Sequence, residues 1–136
     1  MQVIKSEAWK TVLLYAGHVF HEKPHRDPKN KWYVSVEEYP HDKYPPFVQA
    51  SYILSNKALR KFYYATMFVK SFRMDDVYLG ILAHKLQIDP LHNPHFWDWR
   101  QSYKIEDYQY AVSSHGFSDP QELERIWNRH KRAGYA

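Results

Sequence analysis

The chain has 136 residues, a net charge of +4, 44% hydrophobic and 18% aromatic side chains; this is one domain or part of one, with enough apolar material for a core, and it excludes compositional disorder. Its 19 Lys and Arg are scattered among 15 acids and 9 His with no dense basic stripe, which argues against a nucleic-acid-binding domain. There is no cysteine, which leans toward a reducing compartment, and no apolar run nears the ~18 residues of a membrane helix, so neither a membrane segment nor a signal peptide is expected in the chain as given.

Thr11 to Phe20 is a continuous apolar run and reads as a buried strand. His21 to Asn30 holds Pro24, Pro28 and several charges and reads as a loop. Trp32 to Val36 is aromatic and β-branched, which predicts a second strand. Tyr39 to Pro46 carries Pro40, Pro45 and Pro46 and must be extended and non-helical. Phe47 to Leu54 reads as a short strand, and Ser55 as a helix N-cap. Leu59, Phe62, Tyr63 and Thr66 then recur at helical spacing.

Met67 to Met74 is a connector. A second helix starts at Met74 or Asp75, with Val77, Ile81, His84 or Lys85, and Ile88 in register, and the segment Pro90 to Pro94 breaks it. Phe96 to Trp99 fits a strand or an aromatic loop equally. Ser118-Asp119-Pro120 is a helix start, Leu123, Ile126, Trp127 and His130 form its stripe, and Gly134 is its stop. Strands first, then helices alternating with short strands, predict an α/β or α+β fold.

Asp75 and Asp76 are the residues with the most chemical content. Acids in a first helical turn offset the positive end of the helix dipole, a purely structural role. Adjacent carboxylates also repel, which raises one pKa and suits a general base near neutral pH. Rings are abundant, with 12 Tyr and 5 Trp. They pack cores, and their flat faces also suit the apolar faces of sugars.

Four strings in order carry a resemblance: Lys31-Trp32-Tyr33-Val34-Ser35, Glu37-Glu38-Tyr39-Pro40, Tyr44-Pro45-Pro46-Phe47 and Arg73-Met74-Asp75-Asp76-Val77-Tyr78-Leu79-Gly80. With the closing His115-Gly116-Phe117 and Tyr135-Ala136, they resemble the β-1,3-glycosyltransferases, brainiac-like members above all. The resemblance implies a partial GT-A type nucleotide-sugar transferase fold, with residues 1–136 as the C-terminal, acceptor-side part of a catalytic domain. It implies transfer of galactose or N-acetylglucosamine from a UDP donor to a glycan or glycolipid acceptor, in β-1,3 linkage with inversion. Asp76 would be the general base, and Asp75 would hold an acceptor hydroxyl or orient the base. Glu37, Glu38, Tyr44 and Tyr78 would line the sugar site, and His115 would help hold Mn2+ on the donor diphosphate. The implied place is the lumenal side of the Golgi membrane, the anchor lying outside this chain.

Two departures stand beside it. The turn Phe47 to Tyr52 has no glycine where the family has one, and no Asp-x-Asp donor motif occurs in the chain. The rival expectation is a non-catalytic carbohydrate-binding or interaction fragment without a donor site.

Overall fold

A computed structural model describes residues 12–135. Its elements are β1 (Tyr15–Phe20), β2 (Phe47–Leu54), α1 (Asn56–Thr66), α2 (Asp75–Lys85), β3 (Leu91–His92), β4 (Phe96–Trp97), α3 (Ile105–Tyr108), β5 (Ser113–Ser114) and α4 (Pro120–Arg132). The fold is therefore mixed α/β. One sheet has the order β2-β1-β3, and β4 pairs with β5 in a second. β1 is antiparallel to β2 and parallel to β3.

The first strand begins at Tyr15, and Thr11, where the apolar run starts, lies outside the described residues. Tyr15 and Val48 from the sheet, Ala58 and Phe62 from α1, and Leu82, Ala83 and Ile88 from the α2 region make one buried cluster. Tyr44, Phe47 and Val77 make a second. Ser55 joins strand to helix as expected. Its buried Oγ accepts from Ala58 N at 3.2 Å and Leu14 N at 3.1 Å, and donates to Val12 O at 2.6 Å.

Trp32 to Val36 is not a strand. Only Tyr33 makes a bridge, with His25, inside a run of turns. The reason is Arg26. Its guanidinium donates to the carbonyls of Val34 (2.9 Å), Ser35 (2.8 Å), Tyr39 (2.8 Å) and His41 (3.0 Å). Those acceptors are taken from any ladder and curl segment 25–41 around one cation.

The helix stripes also differ from the expected ones. α1 turns Ala58 and Phe62 inward, while Leu59 and Tyr63 are 53% and 60% exposed. α2 buries Val77, Gly80, Leu82 and Ala83 rather than the spacing through Ile81 and His84. It is wedged between both clusters, Val77 in one and Leu82 and Ala83 in the other. A helix covered on two sides shows no single apolar face. It ends at Lys85, and Gln87 turns the chain with φ 55, ahead of the prolines. The expected break itself contains β3.

Phe96–Trp97 is a short strand, and α3 and β5 carry too few residues to show a period. α4 starts as expected, with Asp119 Oδ1 accepting from Gln121 N at 2.9 Å and Pro120 in the first turn. Gly134 ends it at φ 81, but no α4 residue is fully buried.

Candidate active site

The first turn of α2 forms one wall of a cavity of about 510 Å³. Two local features place it there. Gly80, one turn after Asp76, lies against the Pro46-Phe47 backbone. A Cβ there would sit 2.6 Å from Phe47 Cβ and 3.0 Å from Pro46 O. Only glycine allows that approach, and it sets the carboxylates beside the start of β2.

The second feature is a bulge in β2. Gly17 pairs with Tyr52 and Val19 with Val48, so a two-residue advance on β1 is matched by four on β2. Within it Ala50 takes the left-handed conformation, φ 68. Its backbone N–H bonds to the Asp76 carboxylate. Thus the turn that lacks glycine still adopts the backbone that glycine would make easy. On β1, Gly17 leaves room for the bulge, since a Cβ there would meet the Val48 side chain and lie 2.7 Å from Ser51 O.

The acidic pair shares its proton unequally. Burial pushes the Asp76 carboxyl up to about 6, helped by its hydrogen bond and charge repulsion with Asp75. The Asp76 backbone N–H and the bulge N–H of Ala50 oppose the rise. Asp75 moves the other way, held below the usual carboxylate range chiefly by the hydrogen bond from Asp76. The pair therefore titrates as a unit, with the last proton on Asp76.

The cavity is also lined by Phe20, Glu22, Lys23, His25, Trp32, Tyr44, Phe47, Gln49 and Arg73. Tyr44 is 8% exposed, and its hydroxyl has no hydrogen-bond partner among the described residues. Burial raises its pKa. A buried hydroxyl of this kind normally finds a partner, and here it finds none among the described residues. Trp32 is 47% exposed at the rim, with the Lys31 ammonium 4.3 Å from its ring centroid.

The expected site residues separate here. Asp75, Asp76 and Tyr44 line this cavity together. Glu38 reaches it indirectly, through an ion pair with Arg73 at 3.3 Å. Glu37 is exposed and lies outside the lining; its carboxyl is held low by its own backbone N–H and by Ser35. Tyr78 packs against the main core and donates its hydroxyl to Val69 O at 3.1 Å. His115 is exposed on the β5 side, where its N–H donates to Trp97 O at 3.1 Å. A Ser51–Ser113 hydroxyl pair at 2.5 Å ties β5 to the bulge. Among the described residues no group of three or more His, Cys, Asp or Glu could hold a metal ion. Sequence reasoning missed Arg26, Lys23, His25, Gln49 and the Ala50 bulge. Arg26 stands in a charged loop with no periodic signal, and the absent turn glycine was the one hint of the bulge.

A family model described as galactosyltransferase matches residues 2–94. The chain belongs to the galactosyltransferase family. It is 50% identical over 126 residues to β-1,3-galactosyltransferase brn of Drosophila melanogaster, covering 91% of this chain and 39% of that protein. It is 34% identical over 115 residues to β-1,3-galactosyltransferase 1 of Mus musculus, covering 84% and 35%. Against β-1,3-galactosyltransferase 2 of Homo sapiens it is 35% identical over 109 residues, covering 77% and 26%. This galactosyltransferase-family chain thus spans between about a quarter and two fifths of these relatives. The family match includes every residue lining the Asp75–Asp76 cavity and stops short of β4, β5 and α4.

Proposed function

We propose that this chain is the acceptor side of a β-1,3-glycosyltransferase catalytic domain of GT-A type, with Asp76 as the general base. The observation that carries it is the proton-sharing Asp75–Asp76 pair on a cavity wall, with the Asp76 carboxyl near 6. A carboxylate with that basicity is mostly ionised at neutral pH and still a competent proton acceptor. In this reading an acceptor sugar enters the cavity with one face against Trp32 and a hydroxyl on Asp76. The hydroxyl proton passes to the Asp76 carboxylate as its oxygen attacks the anomeric carbon of a UDP-bound galactose or N-acetylglucosamine. The anomeric C–O bond breaks, its electron pair leaves with UDP, and the configuration inverts. Asp75 and the Tyr44 hydroxyl hold neighbouring acceptor hydroxyls. The acceptors are glycans or glycolipids, and the compartment that goes with this activity is the Golgi lumen.

The divalent cation that goes with such donors, Mn2+ in this reading, is not accommodated by the residues grouped here. His115 is a single donor, and the described residues around it complete no ligand set. We propose it as one ligand only, and no step above passes through a metal. Because the chain has no Asp-x-Asp, it should bind acceptor without transferring sugar by itself.

The test is an NMR titration of the labelled chain with terminal galactosides and N-acetylglucosaminides. Signals of Asp75, Asp76, Tyr44 and the Trp32 indole should move, and those of α4 should not. No shifts at saturating saccharide, or shifts confined to α4, would refute the acceptor assignment. Turnover of a UDP-sugar by the chain by itself would refute the division of labour.

A further inference from the structure

The outer face of α1 has a composition that the transferase reading does not use. Ala58 and Phe62 turn toward the sheet and pack with Tyr15, Val48 and Leu82, so the opposite side of the helix points away from it. There Tyr63, Tyr64 and Met67 are 60%, 61% and 58% exposed, and Phe68, just past the helix, is 88% exposed. Phe68 is firmly placed. Its N–H and that of Val69 both donate to Ala65 O, at 3.0 and 3.1 Å, and Tyr78 Oη donates to Val69 O.

The charge of this stretch is one-sided. From Asn56 through Met74 there are five basic residues, Lys57, Arg60, Lys61, Lys70 and Arg73, and no Asp or Glu. Arg60, Lys61 and Lys70 are exposed, whereas Arg73 is engaged by Glu38. A strand added to this sheet would pair at a sheet edge, in the plane of the sheet, and would not reach the far side of α1. Clustered exposed rings mark a contact surface. Rings interleaved with cations and free of acids match a lipid–water boundary. The rings settle at headgroup depth while Lys and Arg stems reach the phosphates.

We propose that the Tyr63-Tyr64-Met67-Phe68 face of α1, with Arg60, Lys61 and Lys70, docks onto an anionic lipid surface. The proposal stands apart from the acceptor cavity and does not depend on it.

Flotation of the 136-residue chain with vesicles tests it, using phosphatidylcholine alone or with phosphatidylserine added. Binding should need phosphatidylserine and fall with salt. Removing Arg60 and Lys61 together (R60Q/K61Q) should weaken it about 25-fold, at roughly fivefold per cation. M67S/F68S should abolish it with an unchanged melting curve, because both side chains are exposed. The charge-matched control on α4, K131Q/R132Q, should bind as the parent does. The proposal is overturned if no vesicles are bound. It is equally overturned if the control weakens binding as much as R60Q/K61Q, or if M67S/F68S still binds. Loss of a self-associated form in M67S/F68S without any vesicle binding would assign the face to a second copy instead.

Discussion

The cavity beside α2 and the one beside α4 are close in size, about 510 and 410 Å³, and nothing about their volumes separates them. Their walls do. The first gathers Glu22, Lys23, Arg73, Asp75 and Asp76 around Tyr44. The second is lined by Phe117, Leu123, Ile126, Trp127 and Tyr135, with His130 as its one ionisable ring nitrogen pair and no acid, Lys or Arg. Each holds a buried polar atom without a partner among the described residues, Tyr44 Oη and His130 Nδ1. Their supports differ too. The α2 wall is wedged between two buried clusters, while α4 has no buried residue. A site for chemistry needs converging charged groups on an element that cannot move, and only the first cavity has both.

The largest expected effect falls on Asp76. In a transferase that joins this chain to a donor-binding half, Asp76→Asn should lower kcat by about 10²–10⁴-fold, the usual worth of general-base assistance. UDP affinity should barely change. Asp75→Asn should cost less turnover and more acceptor affinity. Steady-state kinetics on both variants decide the roles; a dead Asp75→Asn beside an active Asp76→Asn would reverse them, and two active variants would leave the pair a helix cap.

Next is the support of that wall. Gly80→Ala should destabilise the chain by about 1–3 kcal/mol through overpacking. A gain of about 1 kcal/mol in helix propensity cannot compensate, because the atoms in the way are the Phe47 Cβ and the Pro46 carbonyl. Denaturant unfolding measures it, and an unchanged midpoint would mean that the close approach is not what seats the carboxylates.

The pair should also give a pH signature that the second cavity does not share. The folded Asp76 sits near 6 against an ordinary 3.8, so between those values the folded chain binds more protons than the unfolded one. Its contribution to stability is greatest below about 3.8 and falls as pH rises to about 6. The lowered Asp75 acts oppositely, stabilising above its unfolded pKa and losing that as pH falls. The Asp76 part should be on the order of 1–2 kcal/mol after allowance for its partial exposure. Melting curves across that range should show the decline in the parent, and Asp76→Asn should flatten it. A parent whose stability rises through the window contradicts the sharing of the proton.

Two smaller effects complete the contrast. Ala50→Gly should stabilise by about 0.5–1 kcal/mol, because glycine carries no steric penalty at φ 68; destabilisation would place the Ala50 methyl in a contact that matters. His115→Ala, at an exposed position just after β5, should change stability by less than about 0.5 kcal/mol. Its melting curve then leaves any altered Mn2+ requirement in the joined transferase free to report on metal binding.

Much of the fold was legible where signals are local. The Ser55 cap, the Asp119-Pro120 start, the Gly134 stop and the strand Phe47–Leu54 each depend on a few neighbouring residues and fell where expected. Trp32 to Val36 misled because β propensity says nothing about who accepts the hydrogen bonds. Arg26, eight residues before Val34, took the carbonyls. The α2 stripe misled because periodicity assumes one buried side, and this helix has two. Of the site, the Asp75–Asp76 string and Tyr44 could be singled out in the sequence. Trp32 and Phe47 lie in the strings that carry the resemblance and line the cavity as well, whereas Glu22, Lys23, His25 and Gln49 carried no signal.

The sequence by itself determined the family, the order of the main strands and helices, and the residue types able to do proton chemistry, because each is written in contiguous strings. Tertiary structure alone decided which of two adjacent acids keeps the proton. Residue type and position do not separate Asp75 from Asp76; burial of one, a bulge N–H from Ala50 26 residues earlier in the chain, and the close seat at Gly80 make them unequal. Desolvation and hydrogen-bond geometry depend on what the chain brings together from a distance, and no local pattern carries that information.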